Sequence, residues 1–335
     1  MDLTGNDWNM LAMYASMSYE ETPARIEAIL KHVKQLQWKV FSPLDHGWTP
    51  IEQVHKAEYI EYIKRAYHDW LKLKGNPDGV FPDGSAVREF GNLRRQKTIS
   101  SISAVNPTTV IVEGTPVAAY QACQVALTAA DILMTEGDSA VFALTRPPGH
   151  HAHPDICAGY CFFNNVAVVV EYLITQYKQK VAIIDIDYHH GNGTQDIFYT
   201  RKNPLYISIH GLPDYPYYWG ASSETGEGDG EGYNINHPLP LGSQDPEYVE
   251  ALKTVLSRLD NPDVIVVSLG VDTFKEDPIG GFFLTTEGYF KIGQCLAASN
   301  VKKCLFVMEG GYNIEHIGVN VTSVLRGYED GLNLI

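Results

Sequence analysis

Positive charge is scarce in this chain. Its 25 Lys and Arg stand against 40 Asp and Glu, a formal net charge of −15. Such a surface repels phosphate backbones and anionic headgroups, so neither nucleic acid nor a membrane is expected as a partner. Cysteine is scarce too. The five (Cys123, Cys157, Cys161, Cys295 and Cys304) are scattered and odd in number, which excludes a disulfide framework. Cys157 and Cys161 lie close together in ICAGYC, but no second pair completes a structural zinc site, and they read as small core residues. No apolar run is expected to reach the ~18 residues of a membrane span. The opening MDLTGNDWNM has neither a basic n-region nor an apolar h-region, so no signal peptide is expected. Fixed-period repeats and low-complexity tracts are missing as well. These absences leave a cytoplasmic enzyme or binding protein.

Apolar residues are plentiful. At 44% of 335 residues they suffice for a large core in one α/β domain or two smaller ones. Thr22-Pro23 opens a helix with Pro at its first position, followed by Ile26, Ile29, Leu30 and Val33 at helical spacing. Val54 to Leu73 reads as a second helix. The pattern dissolves over residues 75–107, a long irregular insertion. Thr115-Pro116 opens a mostly apolar helix to about Met134. Strands and helices then alternate. Strands are expected at Ala140–Thr145, Val181–Asp187, Leu205–His210, Asp263–Gly270 and Lys303–Met308. Helices are expected at Asn164–Tyr177, Pro246–Leu259, Thr286–Ser299 and about Gly318–Tyr328. Continuous β-branched strands alternating with helices predict a mainly parallel sheet covered on both faces, in one domain.

Each informative polar cluster falls just past the C-terminal end of one of these strands. RPPGHH (Arg146–His151) follows the first and DIDYHHGNG (Asp185–Gly193) ends the second. Asp272, in SLGVDTF, and EGGY (Glu309–Tyr312) follow the last two. Ligands bind at the carboxyl ends of strands in open α/β sheets, so four distant segments are delivered to one crevice. Strand alternation predicts that Asp187 and His189 point the same way. With Asp272 they offer one imidazole and two carboxylates, the donor set of a catalytic zinc, although Fe²⁺ and Co²⁺ also fit. Three such groups converging unpaired would be very costly without a cation. Asp185 is placed to orient a histidine. His150-His151 after Pro147-Pro148-Gly149 has no packing rationale, whereas His190 or His210 alone reads as an ordinary hydrogen-bonded loop residue. Gly310-Gly311 suggests that Tyr312 rides a mobile turn.

Together, RPPGHH, GYCFFNN, DIDYHHGNGTQDIFY, SLGVDTF and EGGY resemble the zinc-dependent histone deacetylase superfamily, from about Thr22 to Tyr328. YPYYWG with the following SSETGEGDGEG, and SLGVDTFKEDPIGGF, are most similar to its bacterial acetylpolyamine amidohydrolase branch. Asn192 in HHGNG is shared with that branch and with class II deacetylases. The resemblance implies an arginase-like open, mainly parallel sheet with helices on both faces, as a single domain over residues 1–335. It implies one zinc per chain on Asp187, His189 and Asp272, with a potassium or sodium ion beside it using Asp185 and Ser208. His151 is implied as general base and then acid, His150 as its neighbour bonded to Asp185, and Tyr312 as donor to the substrate carbonyl. Gly159 and Tyr160 would line the substrate tunnel, with Tyr217 or Tyr218 opposite. A manganese ureohydrolase shares such a sheet but needs more strand-end aspartates than the Asp272 segment supplies.

The reaction so implied is removal of an acetyl group from a primary amine, on a small acetylated amine or an acetyl-lysine peptide. Glu224, Glu227, Asp229 and Glu231 crowd the loop after the aromatic run, as a solvated loop or as a lure for a second amine. The resemblance also admits a homodimer or higher homo-oligomer.

Overall fold

The computed structural model describes residues 19–75, 77–80, 109–299 and 301–333, so most of the expected insertion over 75–107 lies outside the described residues. Six strands form one sheet: β1 (Ala140–Ala143), β2 (Val181–Asp185), β3 (Leu205–Gly211), β4 (Asn234–Leu239), β5 (Val264–Leu269) and β6 (Cys304–Met308). Their order is β1-β6-β5-β2-β3-β4, and every pairing is parallel. Ile184 and Val267 are register partners, as are Val267 and Phe306, so apolar side chains stack in rows across the central strands.

Successive residues of these strands bury opposite ways, as period-2 geometry requires. Ala182, Ile184, Ile265, Val267, Phe306 and Met308 join one core cluster. It contains α1 (Pro23–Gln35), α7 (Asp245–Leu256), α8 (Thr286–Ala297) and α9 (Ile317–Asn333). Val181, Ile183, Val264, Val266, Leu305 and Val307 join the other. There they meet α4 (Thr115–Thr135), α5 (Asn165–Gln176) and Phe198 of α6 (Asn192–Phe198). Burying both faces explains why the strands read as continuous apolar runs. A satellite cluster joins α2 (Thr49–Glu52), α3 (Ala57–Lys72) and α4 to Phe162 and Phe163.

Four expectations need correction. The second helix begins at Ala57 rather than Val54, because residues 49–52 form a separate short turn of helix. β4, NINHPL, gives no strand signal: it is an edge strand pairing only with β3, where Pro238 is tolerated. β2 stops at Asp185, so Asp187 and His189 lie in the bend after it and strand alternation does not orient them. Lastly, α4 is long and apolar enough to cross a membrane, with 21 residues at a mean hydropathy of 1.3. It buries Cys123, Ala126, Leu127, Ala130 and Leu133 among core helices and strands. A core helix passes the same length test, so this one observation carries little weight for a membrane.

Candidate active site

From β2 the chain runs outward to β3 and β4 on one side, whereas β5 and β6 lie on the other. The strand order therefore reverses between the adjacent β2 and β5, where a crevice opens at the carboxyl ends. Asp187 and His189 follow β2, and Asp272 follows β5, so the trio sits at this switch point. All three residues are buried, and one ligand atom from each lies within 4.8 Å of the others. His189 Nδ1 is 3.4 Å from Asp187 Oδ1 and 2.9 Å from Asp272 Oδ2.

Backbone donors fix both carboxylates. Asp187 Oδ1 accepts from His189 N at 2.9 Å and its Oδ2 from Gly310 N at 2.8 Å. Tyr188 N donates to Asp272 Oδ1 at 2.8 Å. Glycine is required for the approach: a Cβ on Gly310 would stand 2.5 Å from Asp272 Oδ2, and one on Gly270 would strike Asp187 Oδ2. Burial raises Asp272, and the Asp187 charge adds to this, bringing it to about 7. Burial would also raise Asp187, but His150 and His189 outweigh that and hold it well below the usual carboxylate range. Burial opposes the charge on His189, yet bonds to both aspartates lift it to about 10. Without a cation the cluster thus holds protons to offset its carboxylates. This donor set, two carboxylates and one imidazole, fits a divalent ion of the zinc type.

His150 and His151 stand beside the trio, their rings 4.0 Å apart. Glu309, at the end of neighbouring β6, pins their turn by accepting from Gly149 N at 2.6 Å and His150 N at 3.1 Å. Burial raises Glu309 to about 7. His150 Nδ1 lies 3.1 Å from Asp185 Oδ2, and its Nε2 lies 3.7 Å from Asp187 Oδ1. Desolvation disfavours its cation, but Asp187 and Asp185 win and lift it to about 10. His151 takes the opposite course. Burial, then the charges of His150 and His189, press it well below the ordinary histidine value. Its Nδ1 lies 2.7 Å from Asn192 Oδ1. An amide oxygen only accepts, so Nδ1 carries the proton and Nε2 is left basic.

Tyr312 is 6% exposed and is not on a loose turn. Asp277 Oδ2 accepts from its backbone N–H at 2.7 Å, and the Arg25 guanidinium lies 4.7 Å from its ring centre. Arg25 is fully buried; it donates to Gly311 O at 2.6 Å, to Glu309 O, and to Glu21 Oε1 at 3.0 Å. The charge and the hydrogen bonds clamp a turn that its glycines alone would leave loose. Tyr160 sits 5.8 Å from Tyr312, ring centre to ring centre, with a backbone φ of +66°. Gly159 packs against the His151 ring, where a Cβ would collide.

The expected opposite wall is displaced. Tyr217 and Tyr218 are 66% and 79% exposed. The aromatic at the site is Tyr215, edge-on to His151 at 5.0 Å and to His189 at 6.0 Å. Tyr217 packs 6.0 Å behind it. Of the loop's three tyrosines only Tyr215 is turned inward, and a run of tyrosines gives no sign of which one. Ser208 is the register partner of Asp185, and its Oγ engages His210 Nδ1 at 2.9 Å. His190 and His210 are buried structural residues, bonded to Asn236 and to Gly220 O respectively. Glu224 is turned inward, accepting from Gln195 Nε2 at 2.6 Å and Gly220 N at 3.0 Å. It pins the loop instead of facing a ligand. Arg25, Asp277, Glu309 and Tyr215 have no assigned role in the sequence reading. Arg25 alone left a signal, since it falls on the buried stripe of Ile29 and Val33.

Residues 19–328 match the family model described as the histone deacetylase domain. Acetylpolyamine amidohydrolase 1 of Pseudomonas aeruginosa is 43% identical, over 92% of this chain and 91% of the relative. The acetylpolyamine amidohydrolase of Mycoplana ramosa is 40% identical over the same shares. The crystal structure of acetylpolyamine aminohydrolase from Burkholderia pseudomallei has a TM-score of 0.83 to this chain at 34% identity, covering 93% of this chain and 92% of that one.

Proposed function

Because the chain belongs to the histone deacetylase family, with its arginase-like sheet, we infer that it is a zinc-dependent amidohydrolase that removes acetyl groups from acetylpolyamines. The observation that carries this reading is the buried Asp187, His189 and Asp272 trio, with His151 and Tyr312 packed around it. Zinc held by the trio supplies Lewis acidity towards a water and an acyl carbonyl. His151, neutral and bonded through Nδ1, takes the water's proton at Nε2. Water oxygen joins the carbonyl carbon, the C–N bond breaks, and the same histidine returns a proton to the departing amine. Acetate and a free amine result. The Tyr312 hydroxyl donates to the carbonyl oxygen as it gains charge. His150, held cationic by Asp187 and Asp185, acts through its field.

Tyr160 and Tyr215 form the walls for the methylene chain, which gains ~0.8 kcal/mol per CH₂ buried. Gly159 lets the His151 ring pack against the backbone beside Tyr160. A potassium or sodium ion belongs beside Asp185 and Ser208, which are buried register partners on adjacent strands. The reading treats residues 1–335 as a single domain of a cytoplasmic homo-oligomer. Five free cysteines accord with a reducing compartment.

The test is kcat/KM of the zinc-loaded protein for N-acetylputrescine, N1-acetylspermidine and an acetyl-lysine peptide. An acetylpolyamine should lead by at least about tenfold, or ~1.4 kcal/mol of transition-state discrimination. A peptide preference of that size would move the substrate class to proteins. No chelator-sensitive acetate release from any of the three would end the reading.

A further inference from the structure

Two residues after the histidine pair stands a third histidine that the reaction does not use. His153 is 2% exposed, and its ring lies edge-on to Trp219 at 5.3 Å. Its Nδ1 is 2.9 Å from Asp196 Oδ2, and its Nε2 is 3.0 Å from Asn192 Nδ2. The other end of the Asn192 amide meets His151 Nδ1 at 2.7 Å. Asp196, Asn192 and His151 are thus joined through His153 in one row, reaching from a partly exposed carboxylate to the reacting centre.

Each link in this row has one direction. The Asp196 carboxylate only accepts, so His153 carries its proton on Nδ1. Its Nε2, which faces the Asn192 NH₂ at 3.0 Å, is then the acceptor of that pair. The amide is thereby fixed with its oxygen towards His151, whose proton must sit on Nδ1. We propose that His153, oriented by Asp196, is a positioning residue that sets the Asn192 amide and so keeps His151 Nε2 bare. An asparagine cannot set this direction alone, because its two ends are nearly the same shape and a turn of the amide reverses donor and acceptor. With a carboxylate at position 192 the third histidine would be dispensable. With an amide there, something behind it must choose its orientation. His55, beside His153, is held neutral by burial at about 3, and Asp155 is paired with Lys56, so Asp196, 2.9 Å from Nδ1, is the carboxylate that orients His153.

The inference rests on His151 as the base, and two readouts separate its failure from that of the base assignment. One is the ring ¹⁵N pattern of His151, which reports its tautomer whether or not substrate turns over. The other is kcat and KM for N-acetylputrescine. Wild type should show the Nδ1–H form. His153→Leu should give a mixed or Nε2–H pattern, with kcat down at least about tenfold and KM within about twofold. His153→Gln places an amide oxygen where Nε2 accepted, and should restore both the Nδ1–H form and most of kcat. Asp196→Ala removes a side chain already 25% exposed, so it should keep the fold and loosen the tautomer in the same direction by less. That variant decides the matter if His153→Leu does not fold. A pure Nδ1–H pattern with full kcat in His153→Leu overturns the proposal, as does Gln performing no better than Leu, or a folded Asp196→Ala with the wild-type pattern. A wild type in the Nδ1–H form that releases no acetate removes the base assignment and leaves the positioning intact.

Discussion

Replacing Tyr312 by Phe removes one oxygen and leaves the ring's supports in place. Those supports are the bond from its backbone N–H to Asp277 at 2.7 Å and the Arg25 guanidinium 4.7 Å from the ring centre, and neither involves the hydroxyl. Burial raises the phenol pKa; Arg25 pulls it back in part, and Asp272 and Asp187 push it up again, so it stays well above the ordinary tyrosine value. The hydroxyl is therefore protonated, and able to donate, throughout any practical assay range. A preorganised donor to a developing oxyanion contributes ~3–4 kcal/mol, or about 100- to 1000-fold in kcat. That interaction strengthens only as charge builds, so kcat and kcat/KM should fall together while KM changes little. Zinc content should not change, because no trio ligand bonds to the phenol. The assay is steady-state acetate release from N-acetylputrescine, with metal measured on the same sample. A Tyr312→Phe enzyme within about fivefold of wild-type kcat at full zinc occupancy would refute the donor role. A large loss of zinc would show instead that the clamp on the turn fails without the hydroxyl.

His151→Ala should lower kcat by at least about 100-fold, and by more than His150→Ala, since only His151 offers an unprotonated nitrogen to water; the reverse order in steady-state rates would exchange their roles. Zinc binding should weaken steeply in acid. Asp272, raised to about 7, and His189, raised to about 10, must both release protons to become ligands. Below pH 7 both are protonated in the metal-free protein, so the apparent Kd should rise by roughly 100-fold per pH unit between pH 6.5 and 5.5. A competition titration with a chelating dye that finds less than about a threefold change would contradict these protonation states.

The sheet was legible because its central strands bury both faces and so appear as uninterrupted β-branched runs. β4 was not, since an edge strand needs little burial and tolerates NINHPL. The metal trio was legible from polar residues at strand ends, but the supporting geometry was misassigned. Asp187 and His189 converge because the chain bends after Asp185, with Asp187 Oδ1 capping His189 N, not because strand side chains alternate. Asp277 was invisible for another reason. Its partners at the Tyr312 turn are the backbone N–H groups of Tyr312 and Asn313, 35 and 36 positions away, and such a partner leaves no mark in side-chain spacing. Tyr215 shows the limit within a motif, where three nearby tyrosines are chemically equivalent until the loop is folded.

The adjacent histidines show how one short segment sets two opposite proton affinities. Both rings are buried, and they sit 4.0 Å apart, so desolvation and mutual repulsion act on each. At this distance only one of them can comfortably be a cation. Partner identity makes the choice. DIDYHHGNG supplies Asp185 and Asp187 to His150 and Asn192 to His151. The carboxylates capture the charge for His150, and that charge then lowers the affinity of His151 further. The base is thus kept empty by its neighbour as well as by burial. It follows that neutralising His150 should raise the proton affinity of His151. In His150→Gln the acid limb of kcat/KM should move to higher pH, as the repulsion on His151 is relieved. An unmoved limb would mean that burial alone sets the base.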